Sequence, residues 1–354
     1  MKKLLCLLLS LSLLFLLCAC SGYPEIAQTE KESTVMAQMG DFNVTYDLYR
    51  AEFLTLKTAV DGGRASFWEG MTAEGKAAYY EEFSEGAMKS VARMLAVFAL
   101  CREEGIDPYG RTANERVEKY FKESVDALGG EDPHSVYLKA LRDTYLTDHV
   151  YRFLLRVQVC RGLFTEKLME EGRLSITDKM AEMTDAIEEY FLSDETVAVI
   201  WMYRDVKNSS DSETQIRARM EGYRARLAEI EGIAAKRNFV GGYSNLMPFE
   251  LENGRYLCRY ETDEYDQALV DAAFSLEVGE ASGVIASGDG LYVLLRVDKN
   301  INYLRDAAYE NEFKEVYASH KIYGMIAQKA DALLATVSHT EAYKALTLDD
   351  VVFE

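Results

Sequence analysis

Four histidines, six cysteines and a surplus of carboxylates are the side chains from which this 354-residue sequence could build a reactive centre. His134, His149, His320 and His339 are scattered, with no HExxH pair and no Cys/His spacing of the kind that grips zinc, so no metal ligand set is expected. The sequence also lacks a GxSxG nucleophile elbow, a phosphate-cradling Walker loop and a GxGxxG dinucleotide turn. Cys101, Cys160 and Cys258 are widely separated and form no CxxC pair, which argues against a disulfide framework. Cys101 and Cys160 fall in apolar helical stretches, where buried structural thiols are expected. No cofactor, no metal and no catalytic residue is assigned on this reading.

The other three cysteines belong to the N-terminus. Lys2 and Lys3 precede an almost unbroken apolar run, Leu4 to Leu17, long enough for a secretion signal and short for a stable membrane span. It ends in Leu17-Cys18-Ala19-Cys20, which resembles the lipobox of bacterial lipoproteins. The resemblance implies removal of residues 1–19 and a diacylglycerol on the Cys20 sulfur. The mature protein would then be extracytoplasmic and lipid-anchored to the cell membrane. Residues 20–34 are short, polar and aperiodic, and read as a flexible tether.

Composition bounds the rest. With 49% hydrophobic residues the chain can build real cores, and its length allows two or three domains. Asp and Glu outnumber Lys and Arg by 59 to 39, a net charge of -20 that repels phosphate backbones and anionic lipid headgroups alike, so nucleic acid is not expected as a partner. Val35 to Thr45 alternates like a short strand and turn, and a helix follows from about Tyr46. Between Ala73 and Glu104, Met88, Val91, Leu95 and Phe98 share one helical face, and Gly105 ends the helix. Further helices read over Ala113 to Leu128, Ser135 to Glu171 and Thr177 to Phe191, making this half an all-helical bundle or arch.

The pattern changes near Ser193. Thr196 to Tyr203 is a β-branched and aromatic run of strand length, and Ser212 with Gln215 forms a capping box that opens a helix reaching Ala234. Gly241-Gly242 reads as a turn, about Tyr265 to Phe274 as a short helix, and two glycine-punctuated strands close the unit, the last being Leu291 to Val297. Tyr303 to Val337 reads as one long helix whose apolar stripe needs a partner surface.

This order of parts resembles the PrsA and SurA type of extracytoplasmic foldase, in which a helical chaperone domain is interrupted by a parvulin-type prolyl isomerase domain. The local matches are the opening Val35 to Thr45, the helix ending MLAVFALCREEGIDP, the segment Leu174 to Asp178, and Leu269 to Ser282 (LVDAAFSLEVGEAS) within the insert. The resemblance implies an α+β chain: signal peptide 1–19, tether 20–34, discontinuous all-helical chaperone domain 35–192, parvulin-like α/β domain 193–300, and a C-terminal helical segment 301–354 that completes the chaperone domain. It also implies that the last helix packs on the N-terminal helices rather than on the insert.

Isomerisation about an X-Pro bond must lose amide resonance against a barrier of about 18–20 kcal/mol, which a parvulin lowers with an apolar pocket beside a polar histidine cluster. By the resemblance, the first family histidine lies on the opening strand, where Val199-Ile200-Trp201-Met202 contains none, and the second on the closing strand, where Tyr292 stands. The pocket positions correspond to Tyr265, Leu269 and Phe274, of which only Phe274 keeps the family type, and the loop Gly241 to Asn245 lacks the family's acid. Tyr265, Leu269, Phe274, Trp201 and Tyr292 are therefore expected to line a proline or client pocket with weak or lost isomerase activity. Expected partners are unfolded or newly secreted polypeptides and the membrane through the lipid on Cys20, with a homodimer left open. Two alternatives stand beside this reading: a solute-binding lipoprotein of a transporter, and a non-catalytic surface docking protein.

Overall fold

The computed structural model describes residues 23, 25–129, 132–174, 188–259, 265–288, 290–300 and 310–353, without side chains for 310–316. The lipobox with Cys20, residues 175–178 of the Leu174 to Asp178 motif, most of the helix expected from Thr177, and 303–309 of the last helix lie outside the described residues. The chain divides into two compact units, one running through Lys167 and taking in Gln328–Glu354, the other spanning Leu168–Ala327. Residues 193–300 fall inside the second unit, which extends beyond them on both sides.

The first unit begins with β1 (Val35–Met39) and β2 (Phe42–Thr45), followed by α1 (Tyr46–Asp61) and α2 (Ala73–Glu103). Thr72 caps α2 through a bond from the Gly75 amide. At its other end Gly105, at φ +72°, lets the Ile106 amide reach back to the Cys101 carbonyl, so the chain stops where a glycine permits the left-handed turn. The face carrying Met88, Val91, Leu95 and Phe98 is buried. Phe53 of α1 meets Phe83 of α2 edge-on at 5.6 Å.

α3 (Arg111–Ala127), α4 (Pro133–Asp143) and α5 (Asp148–Glu170) follow. The single helix expected over Ser135 to Glu171 is thus broken in two. Tyr145 takes φ +59°, the Leu146 amide bonds back to the Leu141 carbonyl, and the Thr147 hydroxyl accepts from the Val150 amide to start α5. A non-glycine residue in that conformation is costly, and no glycine or proline marks the break. Cys101 and Cys160 are both buried, as expected, and the Cys101 thiol lies 3.3 Å from the Cys160 carbonyl.

The chain's last residues complete this unit. β7 (Ser338–His339) pairs antiparallel with β1, giving a three-stranded sheet in the order β2-β1-β7, and α11 (Glu341–Lys344) follows. The Thr340 hydroxyl donates to the carbonyls of Val35 and Met36, and Lys76 is paired with Asp349. The first unit is therefore helical around a small sheet, and the mixed helix-and-sheet class holds.

The segment read as a flexible tether is instead docked where it is described. Tyr23 stacks on His134 at 5.2 Å and meets Phe121 edge-on, its hydroxyl donates to Asp126, and its carbonyl accepts from Arg152. The Ile26 amide donates to Asp148, and Gln28 donates to Asp47. Asp47 and Asp148 are buried carboxylates, which fold only with donors in place. Asp148 is satisfied by Tyr137 and Arg152 as well as by this docked segment, which acts as a strap, and Asp47 by Thr45, Thr147 and His149. Polarity misled the reading because these polar groups serve buried carboxylates rather than water.

The second unit holds a short helical turn at 188–192, then β3 (Thr196–Asp205), α6 (Glu213–Glu229), α7 (Ile233–Gly241), α8 (Pro248–Asn253), β4 (Arg255–Cys258), α9 (Gln267–Ser275), β5 (Ile285–Ser287) and β6 (Gly290–Val297). The sheet is antiparallel in the order β4-β3-β6-β5. The capping box of Ser212 and Gln215 is present, but the helix expected to reach Ala234 stops at Glu229, where Gly232 at φ +81° turns the chain into α7. α10 (Glu310–Leu334) passes from this unit into the first. Its Tyr317 packs edge-on against Tyr190 at 5.3 Å, and its Leu333 lies against Gly40 in the first unit. The expected long helix accordingly contributes to both units.

The Asp47–His149 pair gives the first unit a pH signature. The bond to Asp47 raises the His149 pKa above its ordinary 6.5, with Glu25 and Asp148 adding to it against the opposing effect of burial. Burial pushes the Asp47 carboxyl up, but bonds from His149, Thr45 and Gln28 outweigh it and leave the pKa below 3.8. The histidine contribution is full below its unfolded pKa and lost as pH rises through the raised value; the aspartate contribution is full above its unfolded pKa and lost as pH falls through the lowered value. The pair thus stabilises most between about pH 4 and about pH 6.5. His149→Gln should cost about 1–2 kcal/mol at about pH 6 and less at about pH 9, so the two melting curves converge on raising the pH. An undiminished difference at high pH would contradict this assignment.

Candidate functional site

β3 is the centre of the site because its alternation divides two cores. Ala198, Ile200 and Met202 point to a core shared with Phe191, Ile216, Met220, Leu227 and Tyr256. Val197, Val199 and Trp201 point the other way, to a core shared with Leu257, Leu269, Ala273, Leu276 and Leu294, at whose margin lie Tyr203, Tyr265, Phe274 and Tyr292. The five residues singled out from the sequence therefore meet on one face of the sheet.

Their exposures differ, and with them what each can do. Leu269 is fully buried and Trp201 is 4% exposed, so these two form the floor. Tyr265, Phe274 and Tyr292 are half-buried and present ring surface. Trp201 packs edge-on against Tyr265 at 5.7 Å and Tyr292 at 5.9 Å. Its indole nitrogen donates to the Asn245 side chain at 2.8 Å, which fixes the ring and gives a role to the loop whose acid is missing. Offset and edge-on contacts of this kind leave ring faces able to receive another apolar ring.

Two further residues belong here. Tyr203 is the cross-strand partner of Tyr292, with ring centroids 5.0 Å apart. It continues the alternation 197, 199, 201, 203, so period-two reading of the strand could have found it. Gly290 stands opposite Asp205, and a Cβ there would lie 2.1 Å from the Tyr203 ring, so only glycine lets the ring lie over the start of β6. The Gly288 amide donates to Asp266, tying the β5–β6 turn to the start of α9.

Burial, with Tyr203 and Asp266 adding to it, raises the Tyr292 pKa, keeping its hydroxyl protonated. The Arg259 guanidinium lies 4.5 Å from the Phe274 ring centre and that of Arg255 lies 5.9 Å from Tyr265. Arg255 is also paired with Glu250. None of the four histidines lies on β3, β4, β6 or α9. Among the described residues, the face offers aromatic surface edged by guanidinium.

No family model matches the chain, and no curated protein matches it. Solved structures to which it is similar include PrsA foldases and SurA-like chaperones. PrsA from Bacillus subtilis is 14% identical over 86% of this chain and 93% of its own, with a TM-score of 0.25. Foldase protein PrsA from Streptococcus pneumoniae is 15% identical over 78% and 96%, with a TM-score of 0.27. A structure of the related SurA-like chaperones PEB4 and Cj1289 of Campylobacter jejuni is 12% identical over 87% and 99%, with a TM-score of 0.20. The likeness is broad in coverage and weak in both identity and superposition.

Gly290→Ala tests the geometry of the face. The added methyl must displace the Tyr203 ring, at a cost of about 1–3 kcal/mol, and the ring-current shifts that Tyr203 and Tyr292 impose on each other should change. An unchanged melting temperature with unchanged tyrosine resonances would show that the contact is not made.

Proposed function

We propose that this chain is an extracytoplasmic folding factor, held to a membrane by lipid on Cys20, that binds unfolded secreted polypeptide and has weak or lost prolyl isomerase activity. The observation that carries the reading is the half-buried aromatic face of Tyr203, Tyr265, Phe274 and Tyr292 over Trp201, with no histidine on the strands that form it. Such a face holds apolar and prolyl side chains of many sequences by ring contact, and an unfolded client presents these without a fixed partner.

The same geometry supports weak or lost catalysis. A site that accelerates rotation must favour the twisted amide over the planar one. An aromatic floor desolvates both forms, and Trp201 with Asn245 already uses its polar bond within the site. The remaining effect is binding with little discrimination, which suits a holdase. The order of sequence motifs supports the further division into a discontinuous chaperone domain and a parvulin-like insert. Both sheets are antiparallel among the described residues, which weighs against a solute-binding protein built from parallel strand-helix-strand units. For the anchor, two acyl chains suffice, since each buried methylene contributes about 0.8 kcal/mol.

The soluble chain starting at Ser21 should slow aggregation of a chemically unfolded client at stoichiometric ratios and leave the isomerisation rate of a proline peptide near its uncatalysed value. The triple variant Tyr265→Ser, Phe274→Ser, Tyr292→Ser should stay folded, because all three rings are only half-buried, and lose most of that protection. Protection unchanged in the triple variant would move client binding elsewhere, and no protection by the parent would favour the docking-protein alternative. Isomerisation at rates normal for a parvulin would refute lost catalysis.

A further inference from the structure

Cys101 and Cys160 stand 59 residues apart in sequence, yet the first unit sets them side by side, one in the last turn of α2 and the other in the middle of α5. The Cys101 sulfur lies 3.3 Å from the carbonyl of Cys160 itself, and the two thiols also hydrogen-bond to each other. Both are free and fully buried. Neither belongs to the aromatic face, which lies in the second unit.

The two thiols are not equivalent. Hydrogen bonding from Cys101, with the Arg156 guanidinium adding to it, holds the Cys160 thiol below its ordinary 9.0 against burial and Asp107. The same bond and burial push the Cys101 thiol up. Cys160 is therefore the one that ionises first. Their cover is the turn that follows α2. The Cys160 sulfur lies 4.0 Å from the Pro108 carbonyl, which also accepts from Arg156 at 2.8 Å. Asn114 accepts from Arg156 and donates to the Tyr109 carbonyl. At the start of the turn stands Gly105, at φ +72°, where a Cβ would meet nothing within 4 Å. A few polar bonds thus hold the cover, and the turn can open locally while the helices stay intact.

We propose that Cys101 and Cys160 are a redox-convertible pair, which a small-molecule disulfide admitted by opening of this turn converts into a covalent link between α2 and α5. The Cys160 thiolate attacks the small disulfide, forming a mixed disulfide and releasing one small thiol, which takes up the proton that Cys160 gave away. Cys101 then attacks the Cys160 sulfur, and its proton leaves with the second small thiol. One disulfide is reduced to two thiols while the pair gives up two electrons and two protons. The link spans 59 residues of chain, so it restricts the unfolded state far more than the folded one, where the sulfurs are already neighbours.

The test incubates the full chain with oxidised glutathione well below its melting temperature, alkylates the remaining thiols in denaturant, and digests with trypsin without reductant. Arginines bound the fragments 94–102, 157–161 and 256–259, each of which carries one cysteine, so mass spectrometry reads the pairing directly. The expected product is 94–102 joined to 157–161 with Cys258 alkylated, in a protein that melts several degrees higher than its reduced form and returns to the starting value on reduction. Cys101→Ser and Cys160→Ser, treated alike, should not show the rise. Three alkylated fragments after prolonged incubation, or a glutathione adduct on Cys160 that never resolves, overturns the pairing. Links that involve Cys258 overturn it too, because that thiol is reached only by unfolding the second unit. A link between 101 and 160 that lowers the melting temperature also overturns it, since the bond would then form at the expense of the fold.

Discussion

Everything in the second unit depends on the pairing of β3 with β6. Ala198 through Asp205 match Val297 through Gly290 in unbroken antiparallel register, and β3 is buried over its first seven residues. Because side chains alternate, a one-residue slip would drive Trp201 into the core of Ile216 and Met220 and turn Ile200 toward Tyr265. Each large apolar side chain moved out of its core would forfeit about 1.5–3 kcal/mol, so the register is held by the sum of both cores. The flanking strands β4 and β5 are only four and three residues long, which limits the exposed edge available for pairing with another chain.

The aromatic face follows from that register. Trp201, Tyr203 and Tyr292 are placed by strand pairing alone, while Tyr265 and Phe274 are brought in by α9, whose Leu269 and Ala273 are the buried side of a short helix. Partly exposed aromatic surface invites self-association, and the net charge of -20 counters it by mutual repulsion. Buried carboxylates play the corresponding part in the first unit: Asp47 and Asp148 demand donors, and Gln28 and the Ile26 amide each supply one of them.

Much of this was legible in the sequence, and the misses have physical causes. Thr196 to Tyr203, the buried stripe of α2 and the stop at Gly105 are written in local periodicity and a single backbone preference. The five residues expected to line a pocket were placed by an aligned motif order and share one face of the sheet, and Tyr203 was available from the alternation of β3. The break at Tyr145 was not legible, because tertiary packing, including the edge-on contact of Tyr145 with Phe353, holds a residue that carries no local turn signal. Nor was the strap, since a run of polar residues looks alike whether its donors meet water or a carboxylate more than a hundred residues away. The four-residue β4 was too short to stand out from its surroundings.

The central claim is that the aromatic face grips unfolded chain without turning its prolines. The most direct measurement follows the Trp201 indole resonance by NMR while an unstructured proline-containing peptide is titrated in, and records cis–trans exchange of the same peptide. The account predicts a saturable shift at Trp201, whose ring touches both Tyr265 and Tyr292, with exchange remaining on the scale of tens of seconds set by the uncatalysed amide. A Trp201 resonance indifferent to peptide, or exchange hastened into the millisecond range, would contradict it.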